Sequence, residues 1–182
     1  MPLPSFSAAN RVRPPLRADE VTTLRAFLDY HRDTLRWKCA GLTQEQLAQA
    51  MPPTDMALGG LMKHLALVES DWFEDTFAGG SPMPPFDTVD WEADPDWEWH
   101  TARDNRPEEL FALFDEAVHR ADAVIDEALA GSGLDAESQK TDHREGTPFS
   151  LRRILVHLIE EYARHNGHAD LIRQSIDGAT GE

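Results

Sequence analysis

The sequence predicts an all-α protein, a four-helix bundle with a long connection between its second and third helices. Three observations support this fold class. Four segments, each of about twenty residues, repeat apolar side chains at helical spacing. No stretch shows a convincing strand alternation, and a proline-rich acidic stretch, residues 81–105, interrupts the helical pattern. Four long helices joined in this way are typical of a bundle.

The first predicted helix covers residues 18–39 and stops at Gly41, because glycine commonly follows the end of a helix. Thr43 and Gln46 then form a capping-box pattern, which predicts a short helix that continues to about residue 50. The side chains on the apolar stripe of the first helix are Val21, Leu24, Leu28, His31 and Leu35.

The second predicted helix begins near Leu58, after the turn-forming residues 52–55, and ends at Gly79 and Gly80. Residues 81–105 carry four prolines and three tryptophans without a sustained period. We expect this connection to pack its aromatic side chains across the bundle, with room for a helical turn. The stripe of the second helix is formed by Leu58, Leu61, Leu65, Val68 and Trp72.

The third predicted helix begins at Pro107, with acidic residues in its first turn, and is closed by residues 131–133. A polar loop then leads to Ser150, the predicted N-cap of the fourth helix, which ends before Gly178. The buried stripes of these two helices contain Leu110, Leu113, Phe114, Val118, Ala121 and Ile125, and Ile154, Leu158, Tyr162 and Ile172.

Composition restricts the compartment and the partners. Residues 1–182 fit one domain, in which residues 1–17 form an extended N-terminal arm. The single cysteine, Cys39, rules out an intrachain disulfide, and we find no signal peptide or membrane span, so the cytoplasm is expected. A net charge of −16 argues against a nucleic-acid partner. Motifs of zinc proteases and of phosphate-binding loops are missing.

Two polar residues of the fourth helix lie on its apolar stripe. Glu161 and His165 are four residues apart, so their side chains share one face of the helix. A carboxylate that faces a core is costly unless it is paired or binds a metal ion. An ordinary helix pair remains the alternative interpretation of this spacing.

A third candidate ligand lies in the second helix. His64 sits between Leu61 and Leu65 on the apolar arc, where a hydrogen-bonded core histidine is the alternative. If the two helices face each other, His64, Glu161 and His165 can meet around one divalent ion. Two imidazoles and a carboxylate leave one position open, as in catalytic zinc sites. Zinc is the first expectation, and nickel, iron or manganese could use the same ligands.

Three segments of the sequence resemble the DinB-like superfamily, and more narrowly its DUF664 branch. They are YHRDTLRWKCAGLT in the first helix, GGLMKHLALVESDWF in the second and EEYARHNGHADLIR in the fourth. The resemblance implies an ion held by His64 and by a pair of residues four apart in the last helix. Glu161 and His165 form the Glu-x-x-x-His version of that pair, which is similar to the metal-binding bundle of mycothiol-dependent maleylpyruvate isomerases.

The resemblance also implies an activity: transfer of a low-molecular-weight thiol, such as mycothiol, to a small electrophilic substrate. Coordination to a divalent ion deprotonates a thiol at neutral pH, and the thiolate is the nucleophile. Cys39 is expected to be a small buried side chain rather than that thiol. The same resemblance implies a homodimer, and a membrane partner is not expected.

Two further histidines are candidate catalytic residues. His31 lies on the stripe of the first helix and could act as an acid or base in the cavity, and His168 follows His165 by about one turn. Two other function classes remain open. One is a metal-dependent hydrolase, in which a bound water is the nucleophile. The other is a non-catalytic metal-binding bundle with a stress-response, sensing or interaction role.

Overall fold

The computed structural model of the protein describes residues 5–180, and in these residues helices predominate. The all-α fold class is therefore confirmed. The helices are α1 (Glu20–Cys39), α2 (Gln44–Leu47), α3 (Leu58–Ser70), α4 (Trp97–Thr101), α5 (Pro107–Ala130) and α6 (Leu151–Asp177), and the strands are β1 (Glu137–Thr141) and β2 (Pro148–Ser150).

The long helices begin where the sequence supplies partners for their first backbone N–H groups. Asp19 accepts a hydrogen bond from the Thr22 backbone, and Ser150 accepts one from the Arg153 backbone. Pro107 occupies the first turn of α5, where its missing N–H group leaves no bond unmade. The capping box of Thr43 is also present, although α2 ends three residues before the predicted boundary.

The four long helices form one bundle around an aliphatic and aromatic core. Helix α1 packs against α6, and α3 packs against both α5 and α6. This arrangement places the inward faces of α3 and α6 beside each other. The fully buried core side chains include Leu28, Leu35, Leu61, Leu65, Phe73, Phe114, Ile125, Ile154, Leu158, Tyr162 and Ile172.

One buried polar cluster joins all four long helices. The guanidinium of Arg32 on α1 donates two hydrogen bonds of 2.7 Å to the carboxylate of Glu69 on α3. Arg32 also contacts Asp122 on α5 at 2.9 Å, and the hydroxyl of Tyr162 on α6 donates to Glu69 at 2.7 Å. Burial raises the pKa of Tyr162 well above its usual value, so its hydroxyl remains a donor. We call these residues, with Asp29, the Arg32 cluster.

The connection between α3 and α5 is more ordered than the sequence predicted. Helix α3 continues as a π-helical segment, Asp71–Phe77, which the pattern did not distinguish from the α-helix before it. The connection then contains a 3-10 turn (Phe86–Thr88), helix α4 and a second 3-10 turn (Ala102–Asp104). Its tryptophans pack against the core, as predicted, and α4 lies against α3.

The predicted polar loop before α6 contains an antiparallel hairpin of β1 and β2. The sequence lacks the alternation that would reveal it, because polar side chains hold the pairing. The hydroxyl of Ser138 accepts from the Phe149 backbone and donates to the carbonyl of Lys140. Asp142 accepts from two backbone groups of the turn, and Gly146 closes the turn with a φ of 66°.

The predicted N-terminal arm, residues 1–17, is described from residue 5 onward, and residues 1–4 lie outside the described part. Arg11 attaches the arm to α1. Its guanidinium stacks over the rings of Tyr30 and Trp37, at 4.9 and 4.4 Å from their centroids. Within residues 5–180, every helix is too short or too polar to cross a membrane.

Candidate metal centre

Helix α6 presents Glu161 and His165 side by side, toward α3. Glu161 Oε2 lies 3.5 Å from His165 Nε2, and the two side chains are 21% and 14% exposed. Their neighbours on the helix, Leu158, Tyr162 and Ala169, are buried. The apolar stripe therefore holds this polar pair at the edge of the core, as the four-residue spacing indicated.

Helix α3 brings His64 to the same place. The ring centroids of His64 and His165 are 5.0 Å apart. One ligand atom from each of His64, Glu161 and His165 can be chosen so that all three lie within 4.8 Å of one another. The structure therefore brings the three predicted ligands together. We call these residues, with His168, the His165 cluster.

The donor set and its surroundings fit a divalent ion. Two ligand atoms about 2.1 Å from a tetrahedral ion are about 3.4 Å apart, close to the separation of Glu161 and His165. Burial, helped by the neighbouring His64 and His168 rings, lowers the pKa of His165 to about 4. His165 is thus a neutral imidazole at neutral pH, which is the form that binds metals.

Two residues of the long connection complete the surroundings of His64, and sequence reasoning missed both. Glu98 on α4 is 4% exposed, and its Oε1 lies 2.9 Å from His64 Nδ1. Trp99 stacks on the His64 ring with centroids 4.8 Å apart, and the centroids of the Trp99 and His165 rings are 6.2 Å apart. A helix of five residues is too short to show a period, so only the acidic and tryptophan-rich composition of the connection pointed here.

His157 lies on α6 one turn before Glu161 and also contacts this carboxylate. Its Nε2 lies 3.8 Å from Glu161 Oε1, and its ring packs against Trp72 at 4.7 Å. Each carboxylate oxygen of Glu161 therefore lies within 4 Å of one histidine, His157 on one side and His165 on the other. The four-residue spacing of the three residues could have indicated this row.

The two predicted catalytic histidines lie at different places. His168 is adjacent to the cluster, with its ring 5.4 Å from that of His165. Its Nδ1, like that of His165, is buried and has no hydrogen-bond partner among the described residues. His31 contacts α6 through Asn166, whose Nδ2 lies 3.3 Å from His31 Nδ1 and donates to the His31 carbonyl at 3.0 Å. Burial lowers the pKa of His31, so its ring is neutral at neutral pH.

Cys39 lies apart from this centre, at the end of α1. It is buried, as predicted, and its Sγ lies 3.8 Å from the Leu58 carbonyl. Burial raises the pKa of the Cys39 thiol to about 12. The side chain is therefore protonated at neutral pH and is a poor nucleophile.

Comparison with known proteins identifies the family of the chain. A search of the curated proteins finds no match. The family model for Mycothiol-S-transferase matches residues 23–178, which include α3, the connection and α6. This match confirms the DinB-like resemblance. The chain belongs to the mycothiol-S-transferase family.

Proposed function

We propose that this protein is a metal-dependent S-transferase that joins a low-molecular-weight thiol, such as mycothiol, to a small electrophile. The observation that carries the proposal is the convergence of His64, Glu161 and His165 within 4.8 Å, in a chain of this family. In the proposal these three side chains hold one divalent ion. Zinc is the first choice because two imidazoles and a carboxylate are a common zinc set, and nickel, iron or manganese are alternatives.

A bound divalent ion lowers the pKa of the thiol, so that the thiolate is available at neutral pH. The residues of the chain supply the rest. His168, whose Nδ1 lacks a partner among the described residues, is proposed to accept the thiol proton. The sulfur then forms a bond to the electrophilic carbon, and the leaving group departs with the electron pair of its own bond. His31, a neutral imidazole that contacts α6 through Asn166, is proposed as the alternative acceptor of the same proton.

The surroundings of the centre support a restricted site for small molecules. The rings of Trp99 and Trp72 pack against His64 and His157, so they cover two sides of the row of polar groups. Excluding water strengthens the electrostatic interactions within such a site. We therefore propose a small-molecule substrate. We also propose that the protein acts in the cytoplasm, where small thiols are kept reduced, and that it forms a homodimer.

The direct test is an assay of purified protein with mycothiol and 1-chloro-2,4-dinitrobenzene, with zinc present or removed by a chelator. The thiol adduct and chloride should form only when protein, thiol and metal are all present. His64→Ala and Glu161→Gln should lose both metal content and rate. Glu160→Gln removes the same charge one residue away, at an exposed position, and should keep both.

Three results would contradict the proposal. An undiminished rate after chelation would show that thiol transfer does not need the ion. Turnover of a model ester without added thiol, with no thiol adduct under any condition, would instead indicate a metal-dependent hydrolase. A protein that binds metal and shows neither activity would fit the sensing or interaction role.

A further inference from the structure

We propose that Glu98 is a positioning residue for the metal centre: it fixes the tautomer of His64 so that Nε2 is the nitrogen that binds the ion. The inference rests on the proposed metal site and extends it to the connection between α3 and α5. It gives the five residues of α4 a role, because α4 carries this carboxylate to the ring of His64.

The contact between Glu98 and His64 defines which nitrogen carries the proton. Oε1 of Glu98 lies 2.9 Å from Nδ1 of His64. A carboxylate only accepts hydrogen bonds, so Nδ1 must be the donor, and the lone pair of the neutral ring is on Nε2. A metal-binding histidine commonly donates its other N–H to a carboxylate, which also makes it a stronger ligand.

The burial of Glu98 is difficult to explain by stability alone. The residue is 4% exposed, and its Oε2 is buried without a hydrogen-bond partner among the described residues. By contrast, both oxygens of the buried Glu69 accept hydrogen bonds from Arg32. A buried carboxylate with one unsatisfied oxygen is unfavourable, so its retention beside a candidate ligand indicates a functional contact.

Helix α4 is held firmly enough to define the position of Glu98. Lys63, the residue before His64, is 4% exposed, and its ammonium donates to Thr101 at 2.8 Å and to Asn105 at 3.0 Å. The same ammonium lies 4.1 Å from the centroid of the Trp97 ring. Two consecutive residues of α3 therefore contact α4: Lys63 donates a hydrogen bond to Thr101, and His64 donates one to Glu98.

The packing of Trp99 fixes the plane of the His64 ring, and Glu98 fixes which edge of the ring carries the hydrogen bond. The Trp99 ring stacks on His64 with an interplanar angle of 27°. Turning the imidazole plane out of this orientation would break both the stacking and the bond to Glu98, and a 180° flip about χ2 would break the bond to Glu98. The ring of His64 is therefore oriented before any ion binds.

The first test measures cobalt affinity, because Co²⁺ reports its ligand field in the visible spectrum. Metal-free wild type, Glu98→Gln and Glu92→Gln are titrated with Co²⁺. Glu92 is an exposed residue of the same connection and gives the same change of charge. Glu98→Gln should bind Co²⁺ about 10–100-fold more weakly than wild type, with an altered spectrum. Glu92→Gln should bind as wild type does.

The second test needs no metal. Long-range ¹H–¹⁵N NMR of the metal-free wild type at pH 8 assigns the tautomer of His64. We expect the proton on Nδ1, and in Glu98→Gln we expect a mixture of tautomers, because an amide can either donate or accept. A residue that only stabilised the fold would change the melting temperature of the metal-free protein and leave both readouts unchanged.

The outcomes separate this inference from the proposed function. Equal Co²⁺ affinity of wild type and Glu98→Gln would overturn the role of Glu98 and leave the metal site intact. A wild-type His64 protonated on Nε2 would overturn it as well, even if Glu98→Gln failed to fold. A wild type that binds no Co²⁺ would overturn the metal site itself, and the inference with it.

Discussion

The Arg32 cluster and the His165 cluster lie in the same bundle, and they differ in how fully the chain satisfies its own polar atoms. The guanidinium nitrogens of Arg32, both oxygens of Glu69 and the hydroxyl of Tyr162 all have partners at 2.7 to 3.0 Å. In the His165 cluster, Nδ1 of both His165 and His168 is buried without a partner among the described residues.

We propose that this difference separates a structural role from a functional one. Buried polar networks that are fully satisfied make a fold rigid and specific, whereas each unsatisfied buried group needs an explanation. The Arg32 cluster is completed by residues of four helices and has no need of a ligand. In the His165 cluster, one ligand atom from each of His64, Glu161 and His165 lies within 4.8 Å of the others, and we propose that a divalent ion completes this cluster.

The largest effect is expected from Glu69→Gln in the Arg32 cluster. It removes the buried charge opposite Arg32, so the free energy of unfolding should fall by about 3–5 kcal/mol. Urea unfolding of metal-free protein measures this change. Glu161→Gln removes the same charge from the half-buried His165 cluster and should change that free energy by less than about 1 kcal/mol. Similar losses in the two variants would contradict the distinction between the clusters.

The second expected effect concerns the hydroxyl of Tyr162. Tyr162→Phe keeps the packing of the ring and removes one hydrogen bond to the buried carboxylate of Glu69, so it should cost about 1.5–3 kcal/mol in the free energy of unfolding. Metal content should not change, although Tyr162 directly follows Glu161. A loss of metal without a loss of stability would show that the two clusters are coupled.

A smaller effect on stability is expected from a substitution of Gly60, which packs against the Trp99 ring. A Cβ added at Gly60 would lie 2.7 Å from Cε3 of the Trp99 ring, so Gly60→Ala should displace that ring from His64. We expect a loss of stability on the order of 1 kcal/mol, together with weaker metal binding. Thermal unfolding with and without zinc measures both effects.

Gly167→Ala is the matched control for that prediction. Gly167 lies in α6, between His165 and His168, and a Cβ there would meet nothing within 4 Å. This variant should be more stable than wild type by about 0.5–1 kcal/mol, because alanine favours the helix. Unchanged metal binding in both variants would show that the position of Trp99 does not matter to the centre.

The smallest expected effect is the labelling of Cys39 in the native protein, which should not occur. With its pKa raised to about 12, the buried thiol remains protonated at pH 8 and should not react with iodoacetamide in the folded protein. In denaturant it should react fully, as intact-mass measurement would show. Rapid labelling of the folded protein would make Cys39 a second candidate thiol and would weaken the case for an external one.

The sequence revealed the long helices and the three candidate ligands because both depend on a regular period. Glu161 and His165 stand out as polar residues on an apolar stripe, and His64 stands out between two leucines. The family resemblance then predicted that the second and fourth helices contribute ligands to one ion. Nothing in these inferences required knowledge of how the connection folds.

The parts that the sequence did not reveal depend on tertiary contacts. Arg32 and Glu69 resemble ordinary charged helix residues in the sequence, and their pairing with each other and with Asp122 and Tyr162 explains their burial. Glu98 and Trp99 belong to a helix too short to show a period. The hairpin before α6 is stabilised by hydrogen bonds to the side chains of Ser138 and Asp142. Because these residues are polar, the sequence shows no apolar alternation there.

The central claim is that His64, Glu161 and His165 hold one divalent ion, and equilibrium dialysis tests it most directly. Metal-free wild type and the triple variant His64→Ala, Glu161→Gln, His165→Ala are dialysed against zinc and analysed for metal. We predict one ion per wild-type chain and none in the triple variant. A wild type that retains no zinc, or a triple variant that retains as much as wild type, would contradict the account.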